Sequence, residues 1–482
     1  MMNGGHTAAL SVLALLGCAA AATRRGAPTV TGRGGGTTGA APPATEIARA
    51  ALGTLTVSKW RLPNGLEVVL LPDPRATSVS YMTWFRVGSR NEDEAAGETG
   101  LAHLFEHLMF TQTKNAEANA FDSKMDAVGG STNAMTYYDF TAYVDDIPPA
   151  ELTLAITLEA DRMINLDLRK AQVENERDVV AEERLASVED NVDGMLDELM
   201  YKQAFKTHPY RWPVIGSMKD IKSITQERAV AFYRKYYAPN NAVLVVAGKI
   251  DEAAALAAIA EGYGALLPSK HLPKDEAKPE RAPAAEVRAT VTRPVPADRL
   301  VIGFPAPALG APDRAAYEVL NELLAGGPSS RLNRVLVVDR QWASSVHGDI
   351  APTRDPGLYA IWIQMTRGHT AEEAERLVVE TAADLAAHPV SAAELGKAAA
   401  RMEAEFWQQL GSSHGRAETL GAFEIAAGDF RALLARGAEY AQVTPADVQK
   451  AAATYLGTGA RSVVIARPSG KAPPVDHGAT EP

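Results

Sequence analysis

Long apolar runs, positive charge and cysteine are all scarce in this 482-residue chain. No apolar run reaches the roughly 18 residues that a membrane-spanning helix needs, so the sequence predicts none. Because 48 basic residues stand against 59 acidic ones, the formal net charge is −11, which argues against a nucleic-acid-binding protein. The one cysteine, Cys18, excludes a disulfide within the chain. The 46% apolar content at this length is typical of a globular protein with about two to four domains.

The first 53 residues differ in composition from everything that follows. Residues 8–16 form a short apolar run that leads into Leu15-Leu16-Gly17-Cys18, which resembles the lipobox of bacterial lipoproteins. This pattern predicts a signal peptide over residues 1–18, with Cys18 lipidated. Ordinary secretion with cleavage after residues 20–22 is the alternative, and the lack of Lys or Arg ahead of the run is atypical of both. Residues 19–53, rich in Gly, Thr, Ala and Pro, predict a flexible tether.

Periodicity beyond the tether predicts an α+β fold. Asn64-Gly65 lies between two apolar runs, which is typical of a β-hairpin. The predicted strands are residues 59–62, 66–71, 78–87, 129–136 and 141–144, and the predicted helices are residues 101–109, 149–166 and 172–188.

The segment His103-Leu104-Phe105-Glu106-His107 indicates a metal site. At helical period its apolar neighbours form one stripe, while both histidines and Glu106 share the opposite face. Two imidazoles one turn apart can bind a single zinc ion, and a carboxylate between them can take the proton of a water on that metal. The alternative is an amphipathic helix whose solvated face happens to carry two histidines.

The helix predicted over residues 172–188 offers a further ligand. A zinc site with two histidines needs a third protein ligand, and a glutamate from a separate element is a common one. Glu176 and Glu183 lie two helical turns apart, so both point the same way. The alternative is a solvated acidic face.

Together the two helices resemble those of the pitrilysin, insulinase and mitochondrial processing peptidase family of inverted zincins, in its short bacterial branch. The second helix reads Glu176-Arg177-Asp178-Val179-Val180-Ala181-Glu182-Glu183, and Glu183 lies 76 residues after His107, as the family pattern requires. The resemblance implies one zinc ion per chain and assigns a role to each polar residue. The implied ligands are His103, His107 and Glu183, the base is Glu106, the carboxylate that supports the metal site is Glu176, and Glu182 is not a ligand.

Two other stretches also match the family. Asn133-Ala134 matches the edge strand that pairs with an extended substrate, which implies peptide binding by β-augmentation. A plain turn-to-strand segment is the alternative. His208, which precedes Pro209-Tyr210, is interpreted as a structural hydrogen-bonding residue rather than a ligand.

The strand–helix order repeats beyond residues 269–292, a linker rich in Lys, Pro, Ala and Glu. A shift of 216 residues places Glu322 over Glu106 and Leu323 over His107. We therefore predict two homologous halves, residues 54–268 and 293–467, each a mainly antiparallel sheet packed with helices, of which only the first can hold metal. In the second half the predicted strands are residues 300–304 and 461–466, the predicted helices are residues 314–324, 371–387, 391–410 and 445–455, and residues 468–482 form a disordered tail.

One departure from the family bears on partners. Enzymes resembling pitrilysin place an Arg and a Tyr seven residues apart on the half without metal, where the pair helps to polarise the substrate carbonyl. In this chain Val337 and Ser344 occupy those positions. The resemblance then implies the zinc subunit of a two-subunit enzyme, whose homologous partner supplies the Arg/Tyr pair, or a homodimer. A shifted alignment is the alternative.

These patterns predict an exported zinc metalloendopeptidase that cleaves peptides or unfolded small proteins. It is expected in the cell envelope, as a periplasmic protein or outer-membrane lipoprotein that touches the membrane only through a lipid anchor. The alternative is a non-catalytic family member that serves as an assembly or peptide-binding subunit.

Overall fold

The structure, a computed structural model, describes residues 44–274, 277–280, 285–457, 459 and 461–470. The predicted signal peptide, Cys18 and most of the predicted tether lie outside the described residues, as do residues 471–482 of the predicted tail. Among the described residues, no helix combines the length and the apolar character needed to cross a membrane.

The first half has more strands and helices than the sequence predicted. Its strands are β1 (Thr45–Leu52), β2 (Leu55–Arg61), β3 (Glu67–Pro72), β4 (Val79–Phe85), β5 (Ser131–Thr136), β6 (Thr141–Ile147) and β7 (Ala242–Gly248). Its helices are α1 (Leu101–Leu108), α2 (Ala120–Ala127), α3 (Leu152–Asn165), α4 (Lys170–Arg184), α5 (Val192–Ala204), α6 (Met218–Ser223), α7 (Gln226–Tyr236) and α8 (Glu252–Tyr263).

The second half repeats the pattern with fewer strands. Its strands are β8 (Val287–Arg293), β9 (Arg299–Ala306), β10 (Ala343–Ile350), β11 (Gly357–Met365) and β12 (Ser462–Pro468). Its helices are α9 (Arg314–Leu324), α10 (Ala371–Ala387), α11 (Ala392–Gln409), α12 (Ser413–Ala422), α13 (Arg431–Gln442) and α14 (Pro445–Tyr455).

Both sheets follow one connection pattern. The first has the order β1-β2-β3-β7-β4-β6-β5, and the second, read from its other end, has the order β8-β12-β9-β11-β10. One pair in each sheet, β3–β7 and β8–β12, is parallel, and the other neighbours are antiparallel. The last five strands of the first order therefore correspond to the five of the second, which confirms the predicted α+β fold with two homologous halves.

Two predicted boundaries were wrong. The last part of the predicted tether, residues 45–52, forms β1, and the end of the predicted linker forms β8. Both are edge strands with many exposed residues. Strand β1 shares the alanine and threonine content of the predicted tether, and β8 alternates Val and Ala with Arg and Thr, a strand pattern that the linker prediction missed. Their order comes from backbone hydrogen bonds to β2 and β12, which composition does not report.

The two halves cover each other's sheets. One face of the first sheet packs on its own helices, including α1, α3, α4 and α7. The opposite face packs against α12 of the second half, where Leu420 and Trp84 are buried together. In the same way α5 of the first half covers the second sheet, through Met200 against Val301 and Val464. Each sheet is thus buried on both faces only when both halves are present.

Glycine permits the closest of these contacts. A Cβ atom on Gly421 of α12 would lie 2.1 Å from Trp84 Cε2, and one on Gly303 of β9 would lie 2.6 Å from Met200 Sδ. The Trp84 ring therefore packs directly on the backbone of α12, and the Met200 thioether would have to move to admit a side chain on β9.

Candidate active site

Helix α1 presents the predicted metal-binding face as the sequence indicates. Leu101, Leu104, Phe105 and Leu108 are buried in the core of the first half. His103, Glu106 and His107 are only half-buried on the other side. The helix begins after Gly100, which has φ +93°, and a Cβ atom there would lie 2.6 Å from the Ile215 carbonyl oxygen.

A buried carboxylate caps this helix. Glu92 accepts hydrogen bonds from the backbone N–H groups of Gly100 and Ala102, at 3.0 and 2.8 Å. Burial raises the pKa of Glu92 well above its usual range, although both backbone hydrogen bonds act in the opposite direction. No local pattern in the sequence indicates this role, because Glu92 lies eight residues before Gly100 and outside any capping motif.

Helix α4 brings the acidic residues to α1. Val173 and Val180 are buried. Glu176 lies three residues after Val173, and Glu183 lies three residues after Val180, so both glutamates point to the same side of the helix. Arg184 anchors the end of the helix by donating to the Gly216 carbonyl oxygen at 2.6 Å and to Glu198 at 2.7 Å. Glu182 is exposed, consistent with its prediction as a non-ligand.

The structure brings the three predicted ligands together. His107 Nε2 lies 3.3 Å from Glu183 Oε2, and His103 Nε2 lies 3.6 Å from Glu183 Oε1. One donor atom from each of the three residues lies within 4.8 Å of the other two. Tetrahedral ligands of zinc, bonded at 2.0–2.2 Å, are about 3.4 Å apart, so these residues fit a zinc ion. His103 Nδ1 is buried and has no hydrogen-bond partner among the described residues.

The electrostatics of the cluster favour a cation. Burial lowers the pKa of His103, which keeps the imidazole neutral, the form that binds metal. Burial also lowers the pKa of His107, but the hydrogen bond to Glu183 and the charges of three glutamates outweigh it, so the pKa is raised overall. Burial raises the pKa of Glu183, and the two histidines outweigh this and lower it.

Two further carboxylates adjoin the cluster. Glu176 Oε2 lies 3.8 Å from His107 Nδ1, on the side of the ring away from Glu183. This distance is too long for a hydrogen bond, so Glu176 acts on His107 through its charge, which raises the pKa of the imidazole. Glu106 is half-buried on α1, and its charge acts on both His103 and His107. The geometry therefore places a candidate base and a candidate orienting group beside the three candidate ligands.

Strand β5, which carries Asn133 and Ala134, forms the edge of the first sheet next to α1. Ala134 pairs with Tyr143 of β6, whose hydroxyl donates to the Phe105 carbonyl oxygen of α1 at 3.1 Å. The Ala134 N–H donates to the Asn133 side chain at 2.9 Å, so it is directed away from β6. The free edge is thus held in a set position relative to the metal cluster.

His208 lies outside the cluster and has a structural environment. It is 2% exposed, its Nδ1 accepts from the Tyr210 N–H at 3.2 Å, and its Nε2 lies 3.1 Å from Asp355 Oδ2. Asp355 also pairs with Arg90 at 2.7 Å, so this network links the two halves.

The second half has an ion pair at the place that corresponds to the cluster. Glu322, the counterpart of Glu106, is buried on α9 and lies 3.2 Å from Arg401 of α11. Burial raises the pKa of Glu322 to about 7. Val337 is half-buried against the core of this half, and Ser344 is exposed on β10. Arg340, near the predicted Arg position, lies over the Trp342 ring at 4.5 Å.

Comparison with known proteins relates this arrangement to one family. The model of Insulinase (Peptidase family M16) matches residues 67–217, and the model of the Peptidase M16 inactive domain matches residues 223–402. The zinc protease PqqE of Helicobacter pylori is 31% identical over 73% of this chain and 80% of its own length. The chain belongs to peptidase family M16.

Other members of the M16 family extend the match. A zinc protease of Mycobacterium tuberculosis, uncharacterized by name, is 31% identical over 83% of this chain and 91% of its own length. The crystal structure of a protease from Helicobacter pylori has a TM-score of 0.82 at 29% identity, covering 86% of this chain and 99% of that chain. The candidate ligands all lie in the part that matches the insulinase model, and α9 lies in the part that matches the inactive domain.

Proposed function

We propose that this chain is an exported zinc-dependent endopeptidase that cleaves peptides or unfolded small proteins. The observation that carries the proposal is the convergence of His103, His107 and Glu183 beside a free sheet edge. Membership of the M16 family and the names of its relatives support the peptidase class.

Each residue then has a distinct task. His103, His107 and Glu183 would hold the zinc ion, one per chain. When bound, zinc supplies Lewis acidity that activates water and polarises a carbonyl group. Glu106 takes the proton of the attacking water and returns it to the leaving amine. Glu176 keeps the His107 ring oriented.

Substrate would bind along β5. An extended peptide can complete the backbone hydrogen bonds of a free edge strand, so Asn133 and Ala134 would contact the main chain. Because backbone groups give most of the affinity, we expect cleavage of many different sequences and little cleavage of folded proteins.

A homologous subunit would complete the site. This chain has Val337 and Ser344 where an Arg/Tyr pair is expected, so a partner subunit would supply that pair, or a second copy of this chain would form a homodimer. Peptide cleavage measured with this chain alone and with a candidate partner distinguishes the two. The alternative, a non-catalytic assembly or peptide-binding subunit, predicts no peptide cleavage with or without a partner. The intact set of Glu106, Glu183 and both histidines argues against this alternative.

Export rests on the leader sequence. We propose a location in the cell envelope, as a periplasmic or outer-membrane lipoprotein with Cys18 as the lipidated residue. Mass spectrometry of the mature N-terminus, with Cys18→Ser as the comparison, distinguishes lipidation from cleavage after residues 20–22.

Substitution of the candidate base tests the enzymatic proposal. Glu106→Gln should retain zinc and the melting temperature but lose at least about 100-fold in kcat, because general-base catalysis contributes about 10²–10⁴-fold. Glu182→Gln, an exposed neighbour on α4, is the matched control and should leave kcat unchanged. Full activity in Glu106→Gln at full zinc content would rule out the mechanism.

A further inference from the structure

Arg162 of α3 is a buried charge to which the proposed mechanism assigns no task. It is 1% exposed. Its guanidinium pairs with Glu159, one turn earlier, and Glu159 accepts a 2.9 Å hydrogen bond from Thr83 of β4. The pair therefore joins α3 to the middle of the first sheet.

The guanidinium lies against three aromatic rings from three different elements. Its central carbon is 4.2 Å from the centroid of Phe121, 4.6 Å from Tyr143 and 5.1 Å from Phe110. Phe121 belongs to α2, Tyr143 belongs to β6, and Phe110 follows directly after α1. Cation–π attraction strengthens when the cation is removed from water, as it is here.

These three elements form the frame of the candidate site. Helix α1 carries His103, Glu106 and His107. Tyr143 pairs with Ala134 of the edge strand and donates its hydroxyl to the Phe105 carbonyl oxygen of α1. Helix α2 also contacts β5, where the Thr132 hydroxyl lies 3.4 Å from Asp122 Oδ1. One guanidinium thus contacts the end of the helix that carries the metal ligands and both elements that pack against the edge strand β5.

Stability alone does not account for a charge at this place. Arg162 Nε and Nη1 are buried and have no hydrogen-bond partner among the described residues. Asp145 lies beside the pair, and burial together with the charge of Glu159 raises the pKa of Asp145 well above its usual range, although Arg162 acts in the opposite direction. A buried ion pair with unsatisfied groups is commonly no more stable than apolar side chains of similar volume.

We infer that Arg162 is a positioning residue for peptide cleavage. Its flat guanidinium holds Phe110, Phe121 and Tyr143 in one arrangement, and this sets the separation between α1 and the edge of β5. That separation determines where the scissile carbonyl of a peptide on β5 lies relative to Glu106 and the metal ligands. The inference rests on the proposed function, since it assumes that the peptide binds along β5.

Arg162→Lys tests the inference with a matched control. Lysine keeps the positive charge near Glu159 but lacks the planar group that covers three rings. Arg436→Lys is the control, because Arg436 lies in the second half, away from the metal cluster of the first. Like Arg162, it is buried (3% exposed), pairs with a glutamate, Glu318, and lies over an aromatic ring, that of Phe423, at 5.4 Å. Both variants should lower the melting temperature. Only Arg162→Lys should lower kcat, by about 10- to 100-fold at full zinc content, with KM little changed.

A second measurement does not depend on activity. In the zinc-loaded protein, Arg162→Lys should speed amide hydrogen exchange in residues 101–110, 120–127 and 131–136, and Arg436→Lys should not. If the unmodified protein cleaves no peptide, the proposed function fails. The exchange pattern still decides whether Arg162 holds these three segments in one arrangement. Unchanged exchange in these three segments, or a kcat equal to that of the control, would overturn the inference.

Phe121→Leu serves if Arg162→Lys does not fold. This change keeps the buried charges paired and removes the closest of the three rings. It should produce the same loss of kcat and the same exchange pattern, each to a smaller degree. A loss of melting temperature alone would again count against the positioning role.

Discussion

At the scale of single residues, local spacing predicted two of the three candidate ligands. His103 and His107 share a face because they lie four residues apart on one helix, and this required only helical periodicity. Glu183 was assigned through the family pattern, and its oxygens do lie within 3.6 Å of both imidazoles. Glu92 and Arg162 were not assigned, since their partners are distant in sequence and come together only in the folded chain.

Three glutamates of α4 provide a test at this scale. We expect Glu183→Ala to cause the largest loss of zinc affinity, because it removes a ligand. Glu176→Ala should lower affinity by about 10- to 100-fold through its contact with His107. Glu182→Ala, which is exposed, should have no effect. Zinc titration against a competing chelator measures all three, and equal affinities would contradict the assignment.

At the scale of elements, several helices were predicted with their observed bounds, whereas the edge strand β1 was predicted as tether. Residues 314–324, 371–387 and 445–455 were predicted as helices, and α9, α10 and α14 span those same residues. A helix carries its periodicity within one segment, so its ends can be read locally. An edge strand such as β1 is ordered by hydrogen bonds to a neighbour, and its alanine-rich sequence resembles that of the predicted tether.

The edge of β5 offers a test of substrate binding. Ala134→Pro removes an N–H that is directed away from β6, so the ladder within the sheet should remain. We expect KM for an extended peptide to rise by about 10-fold, the cost of one lost hydrogen bond, at unchanged zinc content. The measurement is steady-state cleavage together with metal analysis. A KM equal to that of the unmodified chain would argue against pairing along this edge.

At the scale of the whole molecule, each half completes the core of the other. Helix α12 covers the first sheet and α5 covers the second, so neither half has all its apolar surface buried alone. Contacts such as those of His208 and Arg90 with Asp355 add polar links across the same boundary. We therefore expect the two halves to unfold together.

One contact between the halves should depend on pH. His414 Nδ1 of α12 lies 2.8 Å from Asp146 Oδ2 of β6, and Glu418 lies 3.9 Å from the other ring nitrogen. The Asp146 hydrogen bond raises the pKa of His414, although burial acts against it. Because the pKa is raised in the folded state, the stabilisation is complete below about pH 6.5, the ordinary imidazole value, and is lost as pH rises through the folded pKa.

His414→Gln tests this sign. It should lower the melting temperature near pH ~5.5 and have little effect near pH ~8.5, where the imidazole is neutral in both states. His388→Gln is the control, because its partner Asp384 lies one turn away on the exposed end of α10, and exposed pairs contribute little. The same shift at both pH values would mean that charge on His414 does not contribute.

The sequence by itself determined the duplicated α+β architecture and the faces of α1 and α4, because strand alternation and helical periodicity are local properties of the chain. It did not determine that β1 and β8 are strands or that Arg162 lies against three rings. Nor did it determine that a helix from each half covers the sheet of the other half. Those features depend on contacts between segments far apart in sequence, whose energies are set by packing in three dimensions. Only the tertiary structure brings Glu183 to His103 and His107 and places the edge of β5 beside these three candidate ligands.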